Sequence, residues 1–188
     1  MDKSLKTVAI IGGIILILVI LIGSTYNSLV NSEEEVNSKL ADISVQLERR
    51  SDLIPNLVNT VKGYASHETE VINSIVNARQ KLVSADTVEE KATANNELTS
   101  ALSRLLVVVE NYPDLKANTN FIQLQDELAG TENRIAVARR DYNSAVKNYN
   151  KNIKKFPKNI LAGMFGFEEK DYFEAKESSN EVPEVSFE

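Results

Sequence analysis

Residues Asn120–Phe156 read NFIQLQDELAGTENRIAVARRDYNSAVKNYNKNIKKF. Every seventh residue from Phe121 is large and apolar or aromatic: Phe121, Leu128, Ile135, Tyr142, Tyr149 and Phe156. The positions three residues later, Leu124, Thr131, Ala138, Ala145 and Asn152, are mostly small. Three-four spacing puts both rows on one helical face. Held over about five heptads, the pattern predicts a single long amphipathic helix suited to close antiparallel packing. Charged Glu127, Arg134, Asp141 and Lys155 flank the seam. Asn120, with Gln123 three residues on, is the expected cap, and Pro157 the expected stop.

A second register precedes it. Tyr26, Leu29, Val36, Leu40, Ile43, Leu47, Ile54, Leu57, Val61 and Tyr64 share one three-four phase, broken only by Glu33 and Arg50. The phase runs through Pro55, which leaves two readings: Asp52 caps a new helix whose first turn accepts the proline, or one helix continues through it with a kink. Val71, Ile75, Ala78, Leu82 and Ala85 define a shorter helix. Asp86-Thr87 with Glu89-Glu90 forms a capping box for a third, which carries Leu98, Leu102, Leu105 and Val109 and which Pro113 ends. No segment alternates as a strand does. The expected fold is all-α, a membrane helix followed by an antiparallel four-helix bundle with two long and two shorter helices.

The membrane helix is Thr7–Gly23, uncharged and dominated by Ile, Leu and Val. As a helix it is about 26 Å long, near the lower limit for crossing hydrocarbon. A cleaved signal peptide is the rival reading, but Ile22-Gly23-Ser24-Thr25-Tyr26 offers no small-x-small cleavage site, which favours an uncleaved anchor. Lys3 and Lys6 precede the span while Glu33, Glu34 and Glu35 follow it, so the N-terminus is expected in the cytoplasm and the bundle outside. The expected organisation is a cytoplasmic stretch at 1–6, a single-pass anchor at 7–23, the bundle at 24–167 and an acidic, disordered tail at 168–188. That tail holds eight acids against two lysines, enough to account for the whole net charge of -6. With the body near neutral and no basic stripe, nucleic acid is not an expected partner. The chain has no cysteine, which excludes thiol chemistry, disulfides and zinc-thiolate sites.

Two runs carry a family resemblance: RRSDLIPNLVNTVKGYASHE at 49–68 and YPDLKANTNFIQLQDELAGTENRIAVARRDYNSAVKNYN at 112–150. Phe156-Pro157, Gly166-Phe167 and the ending at Pro183–Phe187 extend it. Together they resemble the LemA family of bacterial membrane-anchored helical proteins. The resemblance implies an N-terminal membrane helix and a four-helix bundle, and it implies no activity.

Candidate chemistry is sparse. His67 is the only histidine and thus the only candidate phosphoacceptor; its Glu-Thr-Glu-Val continuation lacks the context of a phosphotransfer site, so a solvated residue at a helix junction is the stronger reading. A carboxylate-bridged metal pair in a bundle needs Glu-x-x-His on two helices, which one histidine cannot supply. No cofactor is expected. Arg50 falls on a core register and there needs a carboxylate; Glu132 and Asp141 are the candidate partners, and Arg50, Glu132, Arg139 and Asp141 are read as a structural ion-pair network rather than as a catalytic site.

Helix lengths add a geometric expectation. The two long helices come to about 55 Å each, the third to about 38 Å, and the second to about half the long ones. The short pair then covers only the distal part, leaving a two-helix stalk that bears Leu29, Val36 and Leu40. Ile160–Phe167 either docks at the lipid interface or folds back over the stalk. Folding back is favoured, since the stalk's apolar face otherwise stays wet. Membrane contact would fall on Lys154, Lys155, Lys158, Leu161, Met164, Phe165 and Phe167. The function expected is a non-catalytic binding or scaffolding module of the cell envelope, with the membrane and an unknown protein as partners. A phosphotransfer bundle using His67 and a self-assembling stalk forming homo-oligomers are the alternatives.

Overall fold

The register carried from Tyr26 to Tyr64 leaves two readings at Pro55, and the computed structural model has a single helix there: α1 runs from Lys3 to Tyr64 with Pro55 in its interior. The structure describes residues 3–174, with side chains from residue 10. Met1 and Asp2 of the expected cytoplasmic stretch, and 175–188 of the expected tail, lie outside the described residues. Helices α2 (Thr69–Val83), α3 (Val88–Val109), α4 (Pro113–Lys116), α5 (Thr119–Lys154) and α6 (Lys158–Phe165) follow. The described residues are helical with no strand, in six helices: α1 takes in both the expected anchor and the first bundle helix, and α4 and α6 were not expected.

The two extra helices are short, and proline chemistry explains the first. Pro113 does not merely end α3, which already stops at Val109; it opens α4, where a missing N–H costs nothing in the first turn. The cap of α5 also differs from expectation. Asn118, not Asn120, accepts from the Phe121 N–H at 3.0 Å, while its Nδ2 donates to the Tyr64 hydroxyl at 2.9 Å. The box before α3 forms as the sequence spells it: Thr87 Oγ1 accepts from Glu90 N at 3.1 Å, and Glu90 Oε2 from Thr87 N at 3.0 Å. Gly166, at φ +75°, ends α6 in the left-handed region that glycine enters without strain.

Pro55 removes the N–H that would bond the Ser51 carbonyl, four residues earlier. Arg79 of α2 replaces it, its Nε donating to that oxygen at 2.9 Å. The interior proline is therefore tolerated because a neighbouring helix satisfies the carbonyl it frees.

The chain packs as two units. Of the described residues, an anchor unit holds those up to Ile43 together with Ala138–Asp171, and a hairpin unit holds Ser44–Val137 with Tyr172–Glu174. In the hairpin unit α1 and α5 run antiparallel, Arg49 meeting Glu127 and Tyr64 meeting Asn118. The α2–α3 hairpin packs on itself and supplies Ile72, Ile75, Leu82, Leu98 and Leu105 to the core. Of the seam on α5, Phe121, Leu128, Ile135, Tyr142 and Tyr149 are buried. Phe156 departs from the pattern at 81% exposed, because α5 ends at Lys154 and the turn after it swings the ring outward.

Candidate functional site

Among the described residues, Arg50 of α1, in the hairpin unit, is the one charged residue that is buried, only 3% exposed. Burial pulls its guanidinium pKa down, and the opposing charge of Glu132 raises it. Nη1 pairs with the Glu132 carboxylate and donates to Asn95 Oδ1 at 2.6 Å. Arg50 and Glu132 are thus brought together across the α1–α5 seam. Asp141 instead lies 3.8 Å from Arg140 beside it, both largely exposed, and Arg139 is exposed. Asn95 is a buried partner that sequence reasoning did not select. Its place among Ala92, Ala94 and Leu98 on the buried face of α3 was the signal, since a buried amide needs a partner.

Arg50 and Glu132 also line an open cleft of ≈ 400 Å³ between α3 and α5. Its walls are mainly apolar: Leu57 below, Leu102, Leu105 and Leu106 from α3, and Phe121 and Leu128 from α5. Arg50 Nε is buried and makes no hydrogen bond within the chain. Polar side chains complete the lining: Thr99 and Ser103 from α3, and Gln125 and Asp126 from α5.

His67 lies away from any such setting. It is exposed in the turn between α1 and α2, where the neighbouring Glu68 accepts from the Tyr112 hydroxyl at 2.7 Å. Among the described residues, no three His, Asp or Glu side chains cluster closely enough to hold a metal ion.

The anchor unit concentrates its polar contacts on the segment following α6. Lys170 N donates to Asn150 Oδ1 at 3.0 Å, and Asn150 Nδ2 donates back to the Lys170 carbonyl at 2.9 Å. The Tyr142 hydroxyl donates to the Asp171 carbonyl at 2.8 Å, and Lys170 Nζ reaches Glu33 at 2.6 Å. Residues 168–171, expected to start a disordered tail, are therefore bound to α5 and α1. Burial, with Asp171 adding to it, pushes the Tyr142 phenol up to about 12; burial, then Glu33 and Glu168, does the same to Tyr149.

Of the candidate membrane residues, Lys154 pairs with Glu169 at 2.7 Å and Lys158 donates to Ser28 Oγ at 3.1 Å. Tyr26 receives Phe165 and Phe167 edge-on, ring centroids 4.9 and 5.9 Å away. Leu161 and Phe167 are half-buried, whereas Lys155, Met164 and Phe165 are exposed. Helix α6 thus folds back on α1 with one side only. On α1 itself, the large side chains from Ile10 to Leu21 are all more than half exposed, the pattern of a helix whose surroundings are apolar. This is the one described helix long and apolar enough to cross a membrane.

An all-α chain with one such N-terminal helix is a helical module built for membrane anchoring. The sequence model of the LemA family matches residues 39–187, and the chain belongs to that family. It is 27% identical to magnetosome protein MamQ 2 of Paramagnetospirillum magneticum and 25% identical to magnetosome protein MamQ of Magnetospirillum gryphiswaldense. Each match covers 80% of this chain and 65% of the relative, so the chain spans just under two thirds of their length. It is also 26% identical to Protein LemA of Metamycoplasma hominis, over 62% of this chain and 54% of that protein.

Proposed function

We propose that the protein is a non-catalytic binding module of the cell envelope, held by a single-pass anchor with its N-terminus inside and its helices outside. Its four principal helices act as an antiparallel bundle, with α4 as the connector between α3 and α5. The α3–α5 cleft carries this reading: it is open and apolar, and its buried cation is already paired with Glu132. The relatives' names are consistent with it, since "magnetosome protein" names a structure and no reaction. Lys3 and Lys6 before the span and three glutamates after it support the orientation.

A photo-crosslinking residue at Leu106, in the intact anchored protein in cells, tests the cleft. The expected result is a discrete adduct with a second protein that Leu102→Glu removes without lowering the amount of protein. Adducts at multiples of the chain's own mass, or none, overturn the proposal, the former in favour of self-assembly.

A further inference from the structure

Helix α6 has two sides, and α1 covers one. Ala162 is buried, Phe167 is half-buried against Tyr26, and Lys158 holds Ser28. The other side shows Ile160 at 54% and Met164 at 71% exposed, one helical turn apart, and Phe156, in the turn before α6, is 81% exposed. Phe165, 49% exposed, adjoins Met164. Such a set on so short a helix is a strip of apolar surface in need of a covering.

Its position on α1 indicates the covering. Tyr26 follows Ile22, the last large apolar residue of the exposed anchor run, by about 6 Å of helix rise. A headgroup layer is roughly 5–8 Å deep on each face of a bilayer whose hydrocarbon is about 30 Å thick. The two ends of α6 meet α1 at Ser28 and Tyr26, within one turn of each other, so α6 crosses α1 at a single level. That level is where the anchor leaves hydrocarbon. Lys151, in the last turn of α5, and Lys155, just after it, are exposed, while Lys154 pairs with Glu169. Lysine stems lying along apolar surface with their ammonium groups outward suit a phosphate-bearing boundary.

We infer that α6 is a second membrane contact, an interfacial helix whose Ile160 and Met164, with Phe156 of the preceding turn, enter the headgroup boundary of the bilayer that α1 crosses. The inference rests on α1 being a membrane anchor. Seated this way, α6 works as a foot, setting the depth of α1 and the direction in which it leaves the surface.

The chain has no tryptophan, so single substitutions give unambiguous signals. Met164→Trp, Val107→Trp and Ile14→Trp are made in the full chain and reconstituted in phosphatidylcholine vesicles, with and without a quarter phosphatidylglycerol. Lipids brominated at shallow or deep acyl positions serve as quenchers. The expected result is blue-shifted Met164→Trp emission quenched best by shallow bromines, deep quenching of Ile14→Trp, and no quenching of Val107→Trp, an α3 position 72% exposed. Stronger quenching with phosphatidylglycerol assigns the lysines a headgroup role, and equal quenching confines the contact to the apolar strip. If Ile14→Trp is quenched and Met164→Trp behaves like Val107→Trp, the foot is overturned and the anchor stands. If neither is quenched, the anchor reading fails with it. A blue shift without quenching that grows with protein density puts a second copy on the strip and overturns the inference.

Discussion

One register of α1 is broken by a charge in each unit, and the two breaks are repaired differently. In the hairpin unit Arg50, 3% exposed, is enclosed by helices and compensated by side chains, the Glu132 carboxylate and the Asn95 amide. In the anchor unit Glu33 keeps 29% of its side chain accessible and is met by Lys170, from a segment without helical structure. That segment is fixed mainly through its own backbone, by Asn150 and Tyr142. A core roofed by helices confines a charge and obliges the fold to neutralise it. A core roofed by an extended peptide leaves the charge partly wet and uses backbone amides and carbonyls as the adhesive.

The contrast can be broken at Arg50. Glu132→Ala leaves a buried guanidinium with one neutral partner, and should destabilise the hairpin unit by about 3 kcal/mol, the low end for a severed buried pair because Glu132 itself is partly exposed. Amide exchange on the full chain should show protection lost within Ser44–Val137 and retained around Lys170. Equal loss in both units would contradict the division. The next effect belongs to the anchor unit. Tyr142 and Tyr149 stay protonated to about 12 in the fold against an ordinary value of 10.0, so the native state binds more protons in that window. Stability is therefore complete below about pH 10 and falls as pH rises toward 12, by on the order of 2 kcal/mol per tyrosine. Tyr149→Phe should flatten that fall at no cost near neutral pH, since the Tyr149 hydroxyl makes no hydrogen bond within the chain. A denaturant midpoint followed from pH 8 to 12 reads both. Lys170→Ala should have the smallest effect, about 1 kcal/mol or less, because its ion pair is partly solvated and the Asn150 bonds to its backbone remain. A larger loss of protection at residue 170 would mean that the charge, not the backbone, holds the segment.

The helical registers were legible because burial repeats every three and four residues, and charges at Glu33 and Arg50 stood out against them. The capping box at Thr87 was equally plain, since two side chains spell it. Pro55 left two readings open, and the partner that decides between them, Arg79, lies on another helix where no local pattern points to the Ser51 carbonyl. The cap at Asn118 was missed because Asn120 offers the same chemistry two residues on. Residues 168–171 read as tail because they bind through Lys170 N and two carbonyl oxygens, atoms that every residue but proline offers alike. The Arg50–Glu132 part of the candidate network could be named because a core-register arginine demands a carboxylate, whereas the cleft above it is a shape, and shape has no one-dimensional signature.

The contacts that complete the anchor unit have a consequence for biosynthesis. Ser28 waits for Lys158, 130 residues downstream, whereas Lys81 finds Glu97 across 16. The α2–α3 hairpin can close soon after it emerges, but the part of α1 before Ser44 must wait for the C-terminal part of α5 and then for α6. The first helix made is thus among the last to acquire its neighbours, and a ribosome that stalls before residue 138 releases a chain with a closed hairpin and a bare, apolar stem.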